Sequence, residues 1–146
     1  MSRPDWFGFF LQIAEVAAKR STCARRHVGC VLFDREFNIM TVAYNGVPPG
    51  SSHCRGGEPC PGHDAPSGSA LNQCDAIHAE QNAVARCRDP RQIYGAAVTT
   101  APCDSCTKLL LATTCQVIVA GSDYADSGKD RWMRAGRKWY VTHTRD

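Results

Sequence analysis

Residues 96–120 read AAVTTAPCDSCTKLLLATTCQVIVA, and this stretch determines the fold prediction. Its first five residues are typical of a short buried strand, and Pro102-Cys103 opens a helix that runs to about Thr113. Residues 116–120 form a second apolar run of strand length. A strand, a helix and a strand in succession favour parallel pairing with the helix packed on the sheet. We therefore expect strands and helices to alternate through the second half of the chain.

The flanking segments extend this pattern in both directions. Residues 5–20 predict a helix, because Trp6, Phe9, Phe10 and Ile13 recur at the spacing of one buried face. The other predicted elements are strands 28–33 and 39–44 in an antiparallel hairpin around the turn 34–38, helix 76–88, helix 128–135 and strand 138–142. The resulting order, α-β-β-α-β-α-β-α-β, predicts one α/β domain over residues 1–146, with a mostly parallel sheet between layers of helices.

The composition indicates a packed globule and excludes several classes of function. The 146 residues include 17 basic and 14 acidic side chains, for a net charge of only +3, and 43% of the residues are apolar. Nucleic acid is an unlikely partner at this charge, since binding through phosphate contacts usually needs a more basic chain. No apolar run approaches the roughly 20 residues of a membrane span. The first residues lack the layout of a signal peptide, which predicts a cytoplasmic protein, or one in the host cytoplasm if the source is viral.

The nine cysteines favour metal binding over disulfides. Their number is odd and no secretory signal precedes them. Three of them, Cys30, Cys87 and Cys115, lie in apolar stretches and are expected to be small core residues. Residues 46–75 hold six of the twelve glycines and five of the eight prolines, together with three cysteines and two histidines. A metal ion is a natural way to order so long a segment without regular structure.

The strongest chemical signal is His78-Ala79-Glu80 followed by Pro102-Cys103-Asp104-Ser105-Cys106. One histidine and two cysteines suit tetrahedral zinc, and three protein ligands leave a fourth position for water, as in catalytic sites. Glu80 is placed to move a proton between that water and a substrate nitrogen. The alternative is a structural zinc held by the same cysteine pair and another cysteine, but such a site has no need of Glu80. His-x-Glu with Pro-Cys-x-x-Cys is the pattern of zinc deaminases.

Four segments together resemble the deoxycytidylate (dCMP) deaminases of bacterial and viral type. They are residues 20–29 (RSTCARRHVG), Tyr44-Asn45-Gly46, residues 78–83 (HAEQNA) and residues 100–106 (TAPCDSC). The resemblance implies a three-layer α-β-α cytidine-deaminase-like fold with a five-stranded mixed sheet. It also implies hydrolytic deamination of dCMP to dUMP and ammonia, which supplies dUMP for thymidylate synthesis.

The resemblance further assigns roles to individual residues. His78, Cys103 and Cys106 would hold the zinc, and Glu80 would be the catalytic proton shuttle. Asn45, Ala79 and Tyr124 would contact the substrate, with Asn45 at the deoxyribose. Asn45 could instead be a turn residue, and Tyr124 a packing lid.

The 5′-phosphate needs cationic or hydroxyl donors. Arg25, Arg26 and His27 are candidates because they lie within the first matching segment, although solvated charge explains them equally well. Val47-Pro48-Pro49 stands where small hydroxyl residues are common in the family, which makes phosphate contacts there doubtful.

A second, structural zinc is implied by four further cysteines. Cys23, Cys54, Cys60 and Cys74 match its positions in some bacterial and viral members, and His53 or His63 could replace one of them. The family also suggests a homo-oligomer, with a hexamer favoured, activated by dCTP and inhibited by dTTP as their Mg²⁺ complexes.

Two alternatives to dCMP deamination remain open from the residues alone. One is the same chemistry on dCTP, a 5-modified dCMP or a polynucleotide base; the other is a non-catalytic module that senses nucleotides through zinc. A polynucleotide substrate requires a basic stripe with exposed aromatic rings. The candidate cluster is Arg131, Trp132, Arg134, Arg137, Lys138 and Trp139, which we interpret instead as the amphipathic last helix and strand.

Overall fold

The computed structural model describes residues 2–23, 26–50 and 76–142, and its elements follow the predicted order. They are α1 (Trp6–Ala18), β1 (Gly29–Phe33), β2 (Ile39–Tyr44), α2 (Ala79–Arg86), β3 (Gly95–Val98), α3 (Asp104–Leu111), β4 (Val117–Ala120), α4 (Lys129–Arg134) and β5 (Lys138–Val141). A short 3₁₀ helix (Pro90–Gln92) was not expected. The Asp89 carboxylate accepts the Arg91 backbone N–H and so begins this turn, with Pro90 as its first residue.

The five strands form one mixed sheet in the order β2-β1-β3-β4-β5, which confirms the mixed sheet implied by the family resemblance. The mostly parallel sheet expected from the order of elements is wrong, because two of the four strand pairs are antiparallel. β1 is antiparallel to both β2 and β3. The parallel pairs are β3 with β4 and β4 with β5. Parallel pairing is therefore confined to the strands that helices α3 and α4 connect, because only a crossover can join neighbouring parallel strands.

Helices cover both faces of the sheet and create two apolar layers. On one face, Phe10, Leu11 and Ala14 of α1 pack against Val31 and Phe33 of β1. On the other face, α2, α3 and α4 enclose the larger core. Cys30 and Cys115 are fully buried in that core and Cys87 packs against it, as the sequence predicted.

This topology brings the first turns of α2 and α3 to the same end of the sheet. The N-cap residue of α2 is His78 and that of α3 is Cys103, both in extended conformation. Within the described ranges, no helix is long and apolar enough to span a membrane.

Candidate active site

His78, Cys103 and Cys106 converge to form a set of metal-ligating atoms. All three ligand atoms lie within 4.8 Å of one another. The Nδ1 atom of His78 is 3.2 Å from Sγ of Cys106 and 3.6 Å from Sγ of Cys103. Tetrahedral zinc with its usual bonds to nitrogen and sulfur separates such atoms by about 3.6 Å. The spacing and the donor set therefore both fit a single zinc ion.

Backbone contacts fix the two ligand-bearing helix starts. The residue before His78 forms a two-way bridge with the Tyr44-Asn45-Gly46 turn: Gly46 N–H donates to Ile77 O at 3.1 Å, and Ile77 N–H donates to Gly46 O at 2.7 Å. The His78 N–H donates to Oε1 of Gln81 at 2.9 Å, which closes the first turn of α2. In α3, the Thr107 hydroxyl donates to the Cys103 carbonyl at 2.9 Å.

In the metal-free protein, hydrogen bonds among the three ligand residues shift their pKa values in different directions. The pKa of the Cys103 thiol is lowered to about 4, chiefly because Cys106 donates a hydrogen bond to its thiolate. The pKa of Cys106 is raised, since it keeps the shared proton and is buried. The hydrogen bond with Cys103 is also the main reason that the pKa of His78 is raised. Binding of a metal must displace protons from Cys106 and His78, so its affinity increases with pH.

Glu80 lies in the first turn of α2, two residues after His78, and is only 4% exposed. Burial raises the pKa of its carboxyl, because the charged form is poorly solvated there. A carboxyl whose pKa is moved toward neutrality can both take up and release a proton under working conditions. Glu80 is therefore chemically suited to proton transfer.

These groups line one cleft with residues from the first half of the chain. The lining residues are Cys23, Arg26, Val28, Asn45, Ala76, His78, Ala79, Glu80, Thr100 and Cys103. Arg26, Asn45 and Ala79 are thus brought to the cleft. His27 does not line it and is exposed, because the segment alternates and turns residues 26 and 28 inward. Cys23, Val28, Ala76 and Thr100 also line the cleft, although the sequence did not predict a substrate contact for any of them. Three of them lie inside the segments that match the family, and this was the available signal.

Asn45 does not serve as a turn residue with unusual backbone angles. Among the described residues, Phe37 is the only one other than glycine with a positive φ. Instead, the buried Asn45 amide binds the segment that leads into β1: Oδ1 accepts the Val28 N–H at 2.8 Å, and Nδ2 donates to the Arg26 carbonyl at 2.9 Å.

Tyr124, predicted to contact the substrate, does not line the cleft but contacts Arg26, which does: the guanidinium carbon of Arg26 lies 5.2 Å from the Tyr124 ring centroid. The loop that carries Tyr124 is fastened to the cysteine-bearing segment. Cys103 and Ser127 form an antiparallel bridge, and the Gly128 N–H donates to Pro102 O at 3.1 Å. Sequence reasoning missed these contacts, because they join residues more than 20 positions apart.

The expected second metal site is mostly beyond the described part of the chain. Cys54, Cys60 and Cys74 lie outside the described residues, as do Arg25, His53 and His63. Cys23 is buried in the wall of the cleft. The second zinc stays a prediction.

The basic cluster near the C-terminus does not form a platform for stacking bases. Trp132 is fully buried and Trp139 is 8% exposed. Arg137 donates to the carbonyls of Leu111, the last residue of α3, and of Cys115. Arg131 forms a bidentate pair with Asp104 at 2.7 and 3.1 Å. The interpretation as an amphipathic helix and strand is therefore confirmed.

Comparison with known proteins agrees with this geometry. Residues 4–122 match the cytidine and deoxycytidylate deaminase zinc-binding region. The chain belongs to this family. The resemblance to deoxycytidylate deaminases noted in the sequence is thereby confirmed.

Two relatives illustrate the extent of the family match. A deoxycytidylate deaminase of Mycobacterium phage D29 is 39% identical over 126 residues, which cover 82% of this chain and 96% of the phage protein. A deoxycytidylate deaminase of Schizosaccharomyces pombe is 35% identical over 126 residues, 84% of this chain. The match spans only 38% of that longer yeast protein.

A solved structure of similar shape is the dCMP deaminase of cyanophage S-TIM5 in complex with dCMP and dUMP. It superposes with a TM-score of 0.71 at 19% identity, over 97% of this chain and 99% of the phage chain. This likeness confirms the predicted cytidine-deaminase-like fold.

Proposed function

We propose that this chain is a zinc-dependent deaminase that converts dCMP and water to dUMP and ammonia. The family membership and the deoxycytidylate deaminase relatives, one of which it matches over nearly its whole length, support this substrate. The observation that carries the proposal is that buried Glu80 lines the same cleft as His78 and Cys103, which form the metal-ligating cluster together with Cys106. A zinc ion that only stabilised the fold would need no proton-transfer group there, and a nucleotide sensor would not need one either.

Bound zinc would supply Lewis acidity, which lowers the pKa of water to near 7 and makes it a nucleophile at neutral pH. His78, Cys103 and Cys106 would hold the ion. Glu80 takes the proton that the water gives up and delivers one to N3 of the cytosine ring. It then takes up the second proton of that water, the hydroxyl proton now at C4 of the ring, and passes it to the departing amino group, so that water and dCMP yield dUMP and ammonia.

The base and the phosphate would be recognised at opposite ends of the cleft. Ala79 is the first residue of α2, so its backbone N–H has no partner within the helix and is available to the pyrimidine carbonyl. Asn45 and Tyr124 would lie along the sugar. Arg26 is the best described candidate for the 5′-phosphate, because it places a guanidinium at a cleft whose nearby acid, Glu80, is buried.

The finer features of the proposal come from the family resemblance. They are a structural zinc at Cys23, Cys54, Cys60 and Cys74, a homohexamer, activation by dCTP and inhibition by dTTP as Mg²⁺ complexes, and a cytoplasmic role in supplying dUMP. Each stays a prediction.

The test combines activity with metal content. Glu80→Gln should retain wild-type zinc and lose about 10²- to 10⁴-fold in turnover of dCMP, the usual contribution of a positioned proton shuttle. Glu36→Gln, on the exposed β1–β2 turn, is the matched control and should keep full activity. Retained zinc with near wild-type turnover in Glu80→Gln would refute the role of Glu80. Nucleotide binding without ammonia release by the wild type would favour the sensing module.

A further inference from the structure

The backbone at Arg26 is held by side chains from two other parts of the chain. Its carbonyl accepts hydrogen bonds from Nδ2 of Asn45 at 2.9 Å and from the Ser21 hydroxyl at 3.1 Å. Both donor residues are buried, with 6% and 3% exposure. A carbonyl fixed by two buried donors has little freedom to move, so the direction in which the Arg26 side chain leaves the backbone is set.

Asn45 is the principal element of this arrangement. Besides donating to Arg26, its Oδ1 accepts the Val28 N–H at 2.8 Å, and its own backbone N–H donates to Val28 O at 3.1 Å. Asn45 therefore forms hydrogen bonds with both neighbours of the exposed His27, namely Arg26 and Val28. This fixes a segment that belongs to no helix or strand and therefore lacks the hydrogen bonds of regular structure.

The other end of Arg26 is held by Tyr124. The guanidinium lies over the aromatic ring, 5.2 Å from its centroid. Stacking of this kind uses the flat face of the guanidinium and leaves its N–H donors at the edge available for a planar pair of oxygens. The loop that carries Tyr124 is bridged to Cys103 through Ser127. The position of the Arg26 guanidinium is therefore fixed relative to the segment that carries the metal ligands.

We propose that Asn45 is a positioning residue for Arg26, and that through Arg26 it sets the preference of the cleft for a nucleoside carrying a 5′-anionic group over the neutral nucleoside. This inference rests on the proposed function and adds to any contact of Asn45 with the sugar. A sugar contact alone would serve dCMP and deoxycytidine equally. A positioning role raises kcat/KM only for dCMP, the substrate whose phosphate Arg26 would bind.

The experiment measures kcat/KM for dCMP and for deoxycytidine and takes their ratio. Arg26→Ala should lower this ratio about 30- to 100-fold, since hydrogen bonds between charged groups are the strong ones. Asn45→Ala should lower it about 5- to 20-fold, because it misplaces the guanidinium without removing it. In the double variant the ratio should fall no further than in Arg26→Ala alone, because Asn45 acts through that side chain. Zinc content is measured in every variant to show that the metal site is intact.

Two further variants keep the proposal falsifiable if Asn45→Ala folds poorly. Ser21→Ala removes the second donor to the same carbonyl and should lower the ratio about 2- to 5-fold. Asn82→Ala is the matched control: its Nδ2 donates to the Tyr44 carbonyl of the same turn at 3.0 Å but does not touch Arg26, so the ratio should not change.

An unchanged ratio in Asn45→Ala, or losses that multiply in the double variant, would overturn this inference while leaving the proposed function intact. A wild-type protein that does not deaminate dCMP would instead overturn the proposed function, and this inference with it.

Discussion

Arg137 fastens the end of α3 to the rest of the fold, and its removal gives a quantitative test of the packing. The side chain is half-buried, and its guanidinium donates to Cys115 O at 2.6 Å and to Leu111 O at 3.1 Å, with a longer contact to Thr113 O at 3.4 Å. Its guanidinium carbon also lies 5.2 Å from the centroid of the buried Trp132 ring. The carbonyls it satisfies belong to the last turn of α3 and the entry to β4, which the helix leaves without partners.

The cost of Arg137→Ala follows from these contacts. A hydrogen bond involving a charged group contributes about 1.5–3 kcal/mol, and water recovers part of this where the site is half-buried. Stacking on Trp132 adds about 0.5–1 kcal/mol. We therefore expect the free energy of unfolding to fall by about 2–4 kcal/mol, which lowers Tm by about 4–16 °C in a domain of this size.

Urea and thermal unfolding of the zinc-loaded protein measure this loss. Arg137→Lys should recover about half of it, because an ammonium keeps the charge but not the planar fork. Arg134→Ala, on the exposed side of α4, should change the free energy by less than about 0.5 kcal/mol. A loss below about 0.5 kcal/mol in Arg137→Ala, or full recovery by lysine, would refute the reasoning.

Two other substitutions probe the neighbourhood of the site. In Gly128→Ala the new Cβ meets Oγ1 and Cβ of Thr107, the fully buried residue whose hydroxyl binds the Cys103 carbonyl. The free energy of unfolding in urea should therefore fall by about 1–3 kcal/mol, and zinc should be retained less well. A wild-type free energy of unfolding together with wild-type zinc content would contradict the close packing. Burial raises the pKa of Glu80 in the folded protein, so ionisation of Glu80 destabilises the folded state. This penalty is absent at acid pH and grows as pH rises above the pKa that Glu80 has in the unfolded chain. Glu80→Gln should thus raise the Tm of the metal-free protein at pH 8, with a gain that shrinks toward pH 5, and a gain independent of pH would contradict this.

Periodicity was sufficient to predict the α-helices and strands of the described residues, though not the short 3₁₀ helix Pro90–Gln92. The helical spacing of apolar residues around Phe10 and the apolar runs of strand length correspond to local preferences, and each appears in the structure. The positions of His78 and Cys103 near helix starts were predictable for the same reason, although α2 begins at Ala79, three residues after the predicted start.

Pairings between distant residues could not be predicted in this way. The antiparallel pairing of β1 with β3 joins residues more than 60 positions apart, and local periodicity does not predict which strands pair. The amide of Asn45 holds Arg26 and Val28 across 19 and 17 positions, so the motif alone suggested a sugar contact or a turn. Arg137 was likewise predicted only as part of the amphipathic last helix and strand, because its carbonyl partners lie 22 to 26 positions away.

The central claim is the deamination of dCMP, and ammonia release from the zinc-loaded wild-type protein tests it most directly. The substrates are dCMP, CMP, deoxycytidine, dCTP and 5-methyl-dCMP, and the loss of cytosine absorbance is recorded in parallel. We expect dCMP to be the preferred substrate, with dUMP and ammonia released in equal amounts. Zinc-loaded protein that turns over none of these nucleotides would contradict it.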